Sequence, residues 1–440
     1  MRNSLFATLV AGTFLSLNVQ AADLWQTYQD ALGNDAQIAS ARAALAAGQE
    51  KSPQGRSGLL PVIGLGGSYT LTSLDAEVGG SVDQNYSYTS KGYALSLTQP
   101  LFRRANWEQY QQSKLAVAAA EAQYAQARQD LIVRVAQAYF DVLAAQDALT
   151  SVRAQKAAIT EQLASAKRNF EVGTATITDT HEAQARYDLA IAQEYAGQND
   201  LAIKQTALQQ IVGKPPGELA TLRSGVGLTT PQPAQIDKWV ESAETQNYGV
   251  VGQQLALEIA KREIQRNRAG HMPTVDLVAS RNHSNQTGST SSQVGSVANT
   301  STVGVQWAIP LFAGFALDSK VRESIALEEK ARFDLENARR TAAQGARQAY
   351  LSVNSGLAQV KALEAAEVSS QSALDSNKLG YQVGVRINID VLNAQQQLYS
   401  TRRDLAKARY DTIVNGLRLQ SAAGELKEDD LVQVNALLNR

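Results

Sequence analysis

The chain uses one pattern of residues twice. Phe170-Glu171-Val172-Gly173 returns as Tyr381-Gln382-Val383-Gly384. The same offset of 211 aligns Asp179 with Asp390, Ala183-Gln184 with Ala394-Gln395, Asp200 with Asp411, Gly213 with Gly424 and Ala138-Tyr139 with Ala349-Tyr350. Pro100-Leu101-Phe102 recurs as Pro310-Leu311-Phe312, and Leu60-Pro61 as Met272-Pro273, within one residue of that spacing. Such a period is far longer than that of a solenoid, so it marks a duplicated unit folding as one body. The expected division is a first repeat over 22–230 and a second over 231–440. It overrides the prior of about three domains that 440 residues would otherwise suggest.

Each repeat is built on a rod. The 72 residues from Leu101 to Val172 contain neither Gly nor Pro and are dominated by Ala, Gln, Arg, Leu and Glu, which are strong helix formers. Larger apolar residues stand at 131, 135, 139, 142, 149, 152, 159, 163 and 170. Their steps are mostly 3, 4 or 7, the seam of a coiled coil. Val391, Leu398 and Leu405 continue the step of 7 in the second half. At about 1.5 Å per residue the first rod is roughly 100 Å long, too long to hide in a globular core, so it must pack along other rods. The long helices are expected over 101–172 and 311–379. Shorter ones are expected near 23–58 and 176–212, and near 235–270 and 388–423. Two short helices end to end match one long one, which predicts that they pair along it.

Strands separate the helices. Tyr93, Leu95 and Leu97 alternate with Ala94, Ser96 and Thr98; Val303, Val305, Trp307 and Ile309 alternate with Gly304, Gln306 and Ala308. Val275, Leu277 and Ala279 form a third case, and Ile63, Leu65, Gly67 and Tyr69 a weaker fourth. Two β-strands are therefore expected in each half, about 61–99 and 273–309. Period-2 alternation fits either a small soluble hairpin or strands crossing an outer membrane. Asp75–Ser90 and Gln286–Ser301, rich in Gly, Ser, Thr and Asn, read as solvated loops. Pro61 and Pro273 open strands after helices, and Pro100 and Pro310 close strands before them.

Arg2 followed by the apolar stretch Leu5 to Val19 and by Val19-Gln20-Ala21 reads as a signal peptide over 1–21. No later apolar run approaches the roughly 18 residues of a spanning helix. Zero Cys excludes disulfides, thiolate metal sites and a cysteine nucleophile. A net charge of −1 argues against a nucleic-acid partner. An exported, cysteine-free chain suits a bacterial envelope. If its strands span a membrane, four per chain cannot close a barrel, for which about eight is the usual minimum. An open sheet would leave unpaired edges in lipid at several kcal/mol per group. The chains must then pool strands, and three chains supply twelve, with room for a pore.

The stretch Gly380-Tyr381-Gln382-Val383-Gly384-Val385-Arg386-Ile387-Asn388-Ile389-Asp390-Val391-Leu392 resembles the pore-end signature of the TolC-like outer-membrane efflux family. Asn169-Phe170-Glu171-Val172-Gly173 with Ile177-Thr178-Asp179 resembles the same family's first-repeat turn, and Ala138–Leu143, His271–Thr274 and Leu59–Pro61 are also similar. The likeness runs from about residue 22 to the end. It implies a mostly α fold with a small β part: a homotrimer whose α-helical barrel crosses the periplasm of a Gram-negative bacterium and continues into a twelve-stranded transmembrane β-barrel. It also implies an exit duct through outer-membrane lipid, working with a periplasmic adaptor (membrane fusion) protein and an inner-membrane pump of RND or ABC type, with no cofactor.

The same resemblance assigns roles at the helical turns. Tyr381, Arg386, Thr178 and Asp179 look like the family's entrance-gate network. Asp390 resembles an aspartate that rings the constriction and favours cations. Asn393 stands where the family often has a second acid. Val172, Gly173 and Thr174, with Val383, Gly384 and Val385, resemble the tips on which the adaptor docks. The residues themselves also allow plain structure: glycine permits φ > 0 after a helix, and Asp179 and Asp390 both sit near a helix start, where Asp caps.

Nothing supports catalysis. His181, His271 and His283 are far apart, and His181-Glu182 lacks a second His at helical spacing. Gly213-Lys214 is followed by Pro215-Pro216 rather than by a phosphate loop. The competing reading is a soluble periplasmic coiled-coil scaffold or adaptor.

Overall fold

The structure is a computed structural model that describes residues 21–76, 84–223, 225–289 and 294–439. The expected signal peptide, Ala21 apart, lies outside the described residues. The first half contains α1 (Leu24–Asn34), α2 (Ala36–Gln49), α3 (Lys51–Ser57), β1 (Val62–Ala76), β2 (Gln84–Phe102), α4 (Arg104–Glu171) and α5 (Ile177–Val212). The second contains α6 (Ile236–Gln246), α7 (Tyr248–Arg268), β3 (Thr274–Gln286), β4 (Ser296–Ala308), α8 (Ala316–Gln382) and α9 (Asn388–Ala423); α10 (Glu428–Asn435) follows.

The rods form with 68 and 67 residues, but each starts later than composition suggests. β2 runs through Pro100 to Phe102, and its pairing with β3 shifts between Pro100 and Phe102. Such an irregularity is where a strand tolerates a residue without an N–H. The second rod waits for Ala316 because Gly314 and Phe315 are left-handed, at φ 59° and 63°. The stretch near 23–58 is three helices rather than one. Asp35 leaves helical geometry at ψ 121° and its carboxylate takes the Ile38 N–H, so one residue ends α1 and caps α2. Asn247 separates α6 from α7 and accepts from the Gly249 N–H.

α1, α2, α3 and α5 all lie along α4, and α6, α7 and α9 along α8. α4 also packs against α7 and α9, so the halves interlock. The main core sits around the middle of α4, where Val135, Tyr139, Phe140 and Leu143 meet Leu24, Tyr28, Leu208, Val414, Leu417 and Leu431. Phe140 stacks on Tyr410 at 5.5 Å. The Tyr139 hydroxyl lies 2.8 Å from the Ala220 carbonyl and 3.1 Å from that of Ala22. The Tyr410 hydroxyl donates to Asp147 at 2.7 Å, and burial raises that carboxyl despite the bond. No described helix is long and apolar enough to cross a membrane.

The four strands form one antiparallel sheet in the order β1-β2-β3-β4, so the halves meet at the β2–β3 seam. The β1–β2 ladder continues to Ala76↔Gln84, inside the stretch expected to be loop. Residues 77–83 and 290–293 of the two expected loops lie outside the described residues. Register places Ile63, Leu65, Tyr69, Leu71, Leu95, Leu97, Val303, Val305 and Trp307 on one face. The opposite face holds Gly64, Gly66, Ser68, Thr70, Ser96, Ser280, Thr302 and Gly304. The apolar face is bare: Leu65 is 76% exposed, Val303 78% and Trp307 68%. Among the described residues, nothing pairs with the outer edges of β1 and β4.

Candidate functional site

The ends of the rods farthest from the sheet carry the residues singled out in the sequence. Both turn over identically. Gly173 and Gly384 stand at φ 77° and 78°, and an added Cβ at either would meet nothing within 4 Å, so backbone conformation alone calls for glycine there. The Val172 N–H reaches the Arg168 carbonyl and that of Val383 reaches Leu379, both at 3.1 Å. The Thr174 and Val385 N–H groups close the turns on Asn169 and Gly380 at 2.8 Å, and the Thr174 hydroxyl adds a bond to the Asn169 carbonyl. Val172, Val383 and Val385 are 72%, 65% and 78% exposed. Each tip therefore offers exposed apolar side chains to solvent on a turn closed by backbone hydrogen bonds.

The two aligned aspartates do different work. Asp179 completes a capping box with Thr176: its carboxylate accepts the Thr176 N–H at 3.0 Å, and its own N–H donates to the Thr176 hydroxyl at 3.2 Å. The equivalent of Thr176 in the second half is Ile387, which has no capping oxygen. Asp390 is thereby free of a cap and faces Arg386 at 3.6 Å. Arg386 lies over the end of α8, where a Cβ on Gly380 would come within 2.7 Å of its Cγ. Gly380 is needed for that close approach.

Within the protomer Arg386 does not reach Asp179, and neither is bonded to Tyr381. Thr178 is exposed. Tyr381 instead accepts from the Asn169 amide at 3.2 Å, joining the end of α8 to the end of α4. Asn388, 1% exposed, accepts from the Gln162 amide and donates to the Asp179 carbonyl at 3.3 Å. Arg186 on α5 donates to Asn393 at 2.9 Å and to Gln396, both on α9. Asn393 thus has a partner of its own within the chain. The halves are tied at the tips by amides and one guanidinium.

Sequence reasoning missed Gln162, Arg186 and Gln396, and gave no role to Asn169 or Asn388 although both lie in the quoted stretches. One signal was available. Asn388 precedes Val391 by three and Leu398 by ten, so it is a polar residue on the apolar seam.

The histidines contribute no shared site: His271 faces Asp318 at 3.8 Å, and His283 stacks on Tyr93 within the sheet. Among the described residues no group of acidic or His side chains is arranged to hold a metal.

The profile of a family described as "Outer membrane efflux protein" matches residues 27–214 and 239–425. The chain is 34% identical over 433 residues to the outer membrane protein TolC of Vibrio cholerae serotype O1, covering 98% of this chain and 97% of that protein. It is 33% identical over 433 residues to the proteases secretion protein PrtF of Dickeya chrysanthemi, covering 95% and 92%. Among solved structures, the outer membrane protein VceC of Vibrio cholerae superposes with a TM-score of 0.78 at 20% identity, over 91% of this chain and 96% of that one.

Proposed function

The chain belongs to the outer membrane efflux protein family, and on that premise we propose that three copies enclose an outer-membrane exit duct serving efflux or protein secretion. The observation that carries this is the sheet. Among the described residues it has a bare apolar face, a face of small and polar residues, and two unpaired edges. In lipid each unpaired backbone group would cost several kcal/mol. Four strands are too few to close on themselves, and twelve form a barrel wide enough for a lumen. The polar face then lines the lumen and the apolar face meets lipid. A soluble scaffold would have to bury that apolar face, and none of the described residues covers it.

The rods extend the lumen into the periplasm. Their tips form the entrance, where the exposed valines at 172, 383 and 385 are the surface for a periplasmic adaptor coupled to an inner-membrane pump. Asn169–Tyr381, Gln162–Asn388 and Arg186–Asn393 hold the two halves together at that entrance. Arg386 and Asp390 form an exposed pair of small individual strength, of about 0–1 kcal/mol, present three times around the axis and so easily released by a partner. Thr178 and Asp179 sit on the first-half side of the same entrance.

The test is purification in detergent, with mass measurement, projection imaging and planar-bilayer recording. A trimer with a central opening is expected, and Arg386→Ser should raise its single-channel conductance. A monomer without an opening would overturn the assembly; unchanged conductance would remove Arg386 from the entrance.

A further inference from the structure

The apolar face of the sheet is not apolar throughout. Toward the hairpin ends, away from the helices, Lys91 and Arg281 stand on it in neighbouring strands, with Tyr93 and His283 in the row between them. Tyr93 and His283 are stacked at 4.9 Å and 25°. The Lys91 ammonium lies 5.3 Å from the Tyr69 ring centre, and Lys91 and Arg281 are both exposed. Among the described residues no acidic side chain pairs with either cation. By register the nearest carboxylate on this face is Asp75, six positions beyond Tyr69 and opposite Asn85. Asp276 has the other parity, and it pairs with Arg103.

Two unpaired cations on a lipid-facing surface are unfavourable at mid-bilayer but nearly neutral at its border. Tyrosines mark the same border, because their rings are apolar and their hydroxyls wet. Register agrees. Arg281 follows Ala279, where the apolar run of β3 ends, and its row partner on β4 is Ser301, just past Val303. Lys91 follows Tyr93 on β2 in the same sense. A guanidinium fork binds phosphate through two bonds, and an ammonium adds a point charge. Arg281 and Lys91 are four positions apart along the ladder, about 13 Å, a span that two phosphates on one sugar headgroup can bridge.

We infer that the β2–β3 seam binds the phosphorylated headgroup of an outer-leaflet glycolipid, through Arg281 and Lys91 flanking the Tyr93–His283 stack. This rests on the membrane-spanning reading of the sheet. The site lies where the two halves join, so it occurs once per protomer.

The experiment is native mass spectrometry of the full-length protein in detergent, titrated with diphosphoryl lipid A and with its dephosphorylated form, alongside conductance recording of the same preparation. Wild type should retain the phosphorylated lipid and not the dephosphorylated one. The double variant Lys91→Gln with Arg281→Gln should retain roughly thirtyfold less, as the loss of two surface cations implies, with wild-type conductance. Equal retention of the two lipids by wild type overturns the inference even if the variant does not fold. Equal retention by a conducting variant overturns it as well, and displacement by inorganic phosphate assigns the cations to a free anion instead. A preparation that forms no channels defeats the membrane reading itself, whereas channels without selective retention defeat only the lipid site.

Discussion

The duplication supplies its own control for one substitution. Gly213 and Gly424 end α5 and α9 at equivalent positions, with φ of 82° and 79°. Alanine at either must adopt the left-handed conformation, a loss of about 1–2 kcal/mol. What the new methyl meets differs. At Gly213 it comes within 2.9 Å of the Asn34 Cβ and 3.0 Å of its Cγ; rotation carries the amide away once its bond to the Asp30 carbonyl is given up, and the end of α1 must shift slightly to clear Cβ. At Gly424 it comes within 2.3 Å of the Gln246 carbonyl oxygen, 2.5 Å of its carbon and 2.8 Å of the Asn247 nitrogen. That is backbone at the α6–α7 break, held by the Asn247 amide on the Ala422 carbonyl. It moves only by displacing a helix end, and such overpacking adds about 1–3 kcal/mol. Gly213→Ala should therefore lose about 1–3 kcal/mol, and Gly424→Ala, with its deeper overlap on backbone, about 2–5 kcal/mol. Guanidinium unfolding of the two detergent-solubilised variants, followed by far-UV circular dichroism, compares them directly. A midpoint for Gly213→Ala equal to or below that of Gly424→Ala would refute the reasoning.

Three further outcomes are expected. Burial alone would raise the Asp35 carboxyl, but the Arg134 fork and the Ile38 N–H outweigh it and hold it below its ordinary value. Its contribution is therefore complete above the unfolded carboxylate pKa of about 4 and is lost as pH falls through the lowered folded value. Asp35→Ala should lose about 2–4 kcal/mol at pH 7 and show a shallower acid transition than wild type in pH-dependent unfolding. Asn388→Ala removes the buried tie between the halves, so bilayer recordings should show higher conductance; Asp179→Ala, which loses mainly its cap, should show a smaller rise, and the reverse order would place the tie elsewhere. Asp390→Ala should lower cation preference in reversal-potential measurements, and an unchanged potential would exclude Asp390 from the constriction.

The rods, the strands and their alternation were legible because each depends on local pattern: absence of Gly and Pro, steps of 3, 4 and 7, and period 2. Element ends were less so. Pro100 looked like a strand end, yet the ladder absorbs it in an irregularity that only the partner strand defines. Asp35 looked like an ordinary residue inside a helix, yet Arg134, nearly a hundred positions later, rewards it for leaving helical geometry. At the tips, the motif marked the place but not the pairing. Asp179 and Asp390 align in sequence, and what separates them is Thr176 against Ile387, a difference that matters only once both helix starts are built. Asn169 with Tyr381 and Gln162 with Asn388 touch across more than two hundred residues, at a register between rods that composition does not encode.

The two bare borders of the sheet also bear on how the proposed trimer can assemble. A solitary copy reaching the envelope has no way to seal itself, so it cannot perforate the barrier it is destined for. In the proposed trimer, sealing the sheet in lipid therefore requires association. In the proposed trimer each border is shared, so a defect on β1 of one molecule would be felt by the β4 of its neighbour.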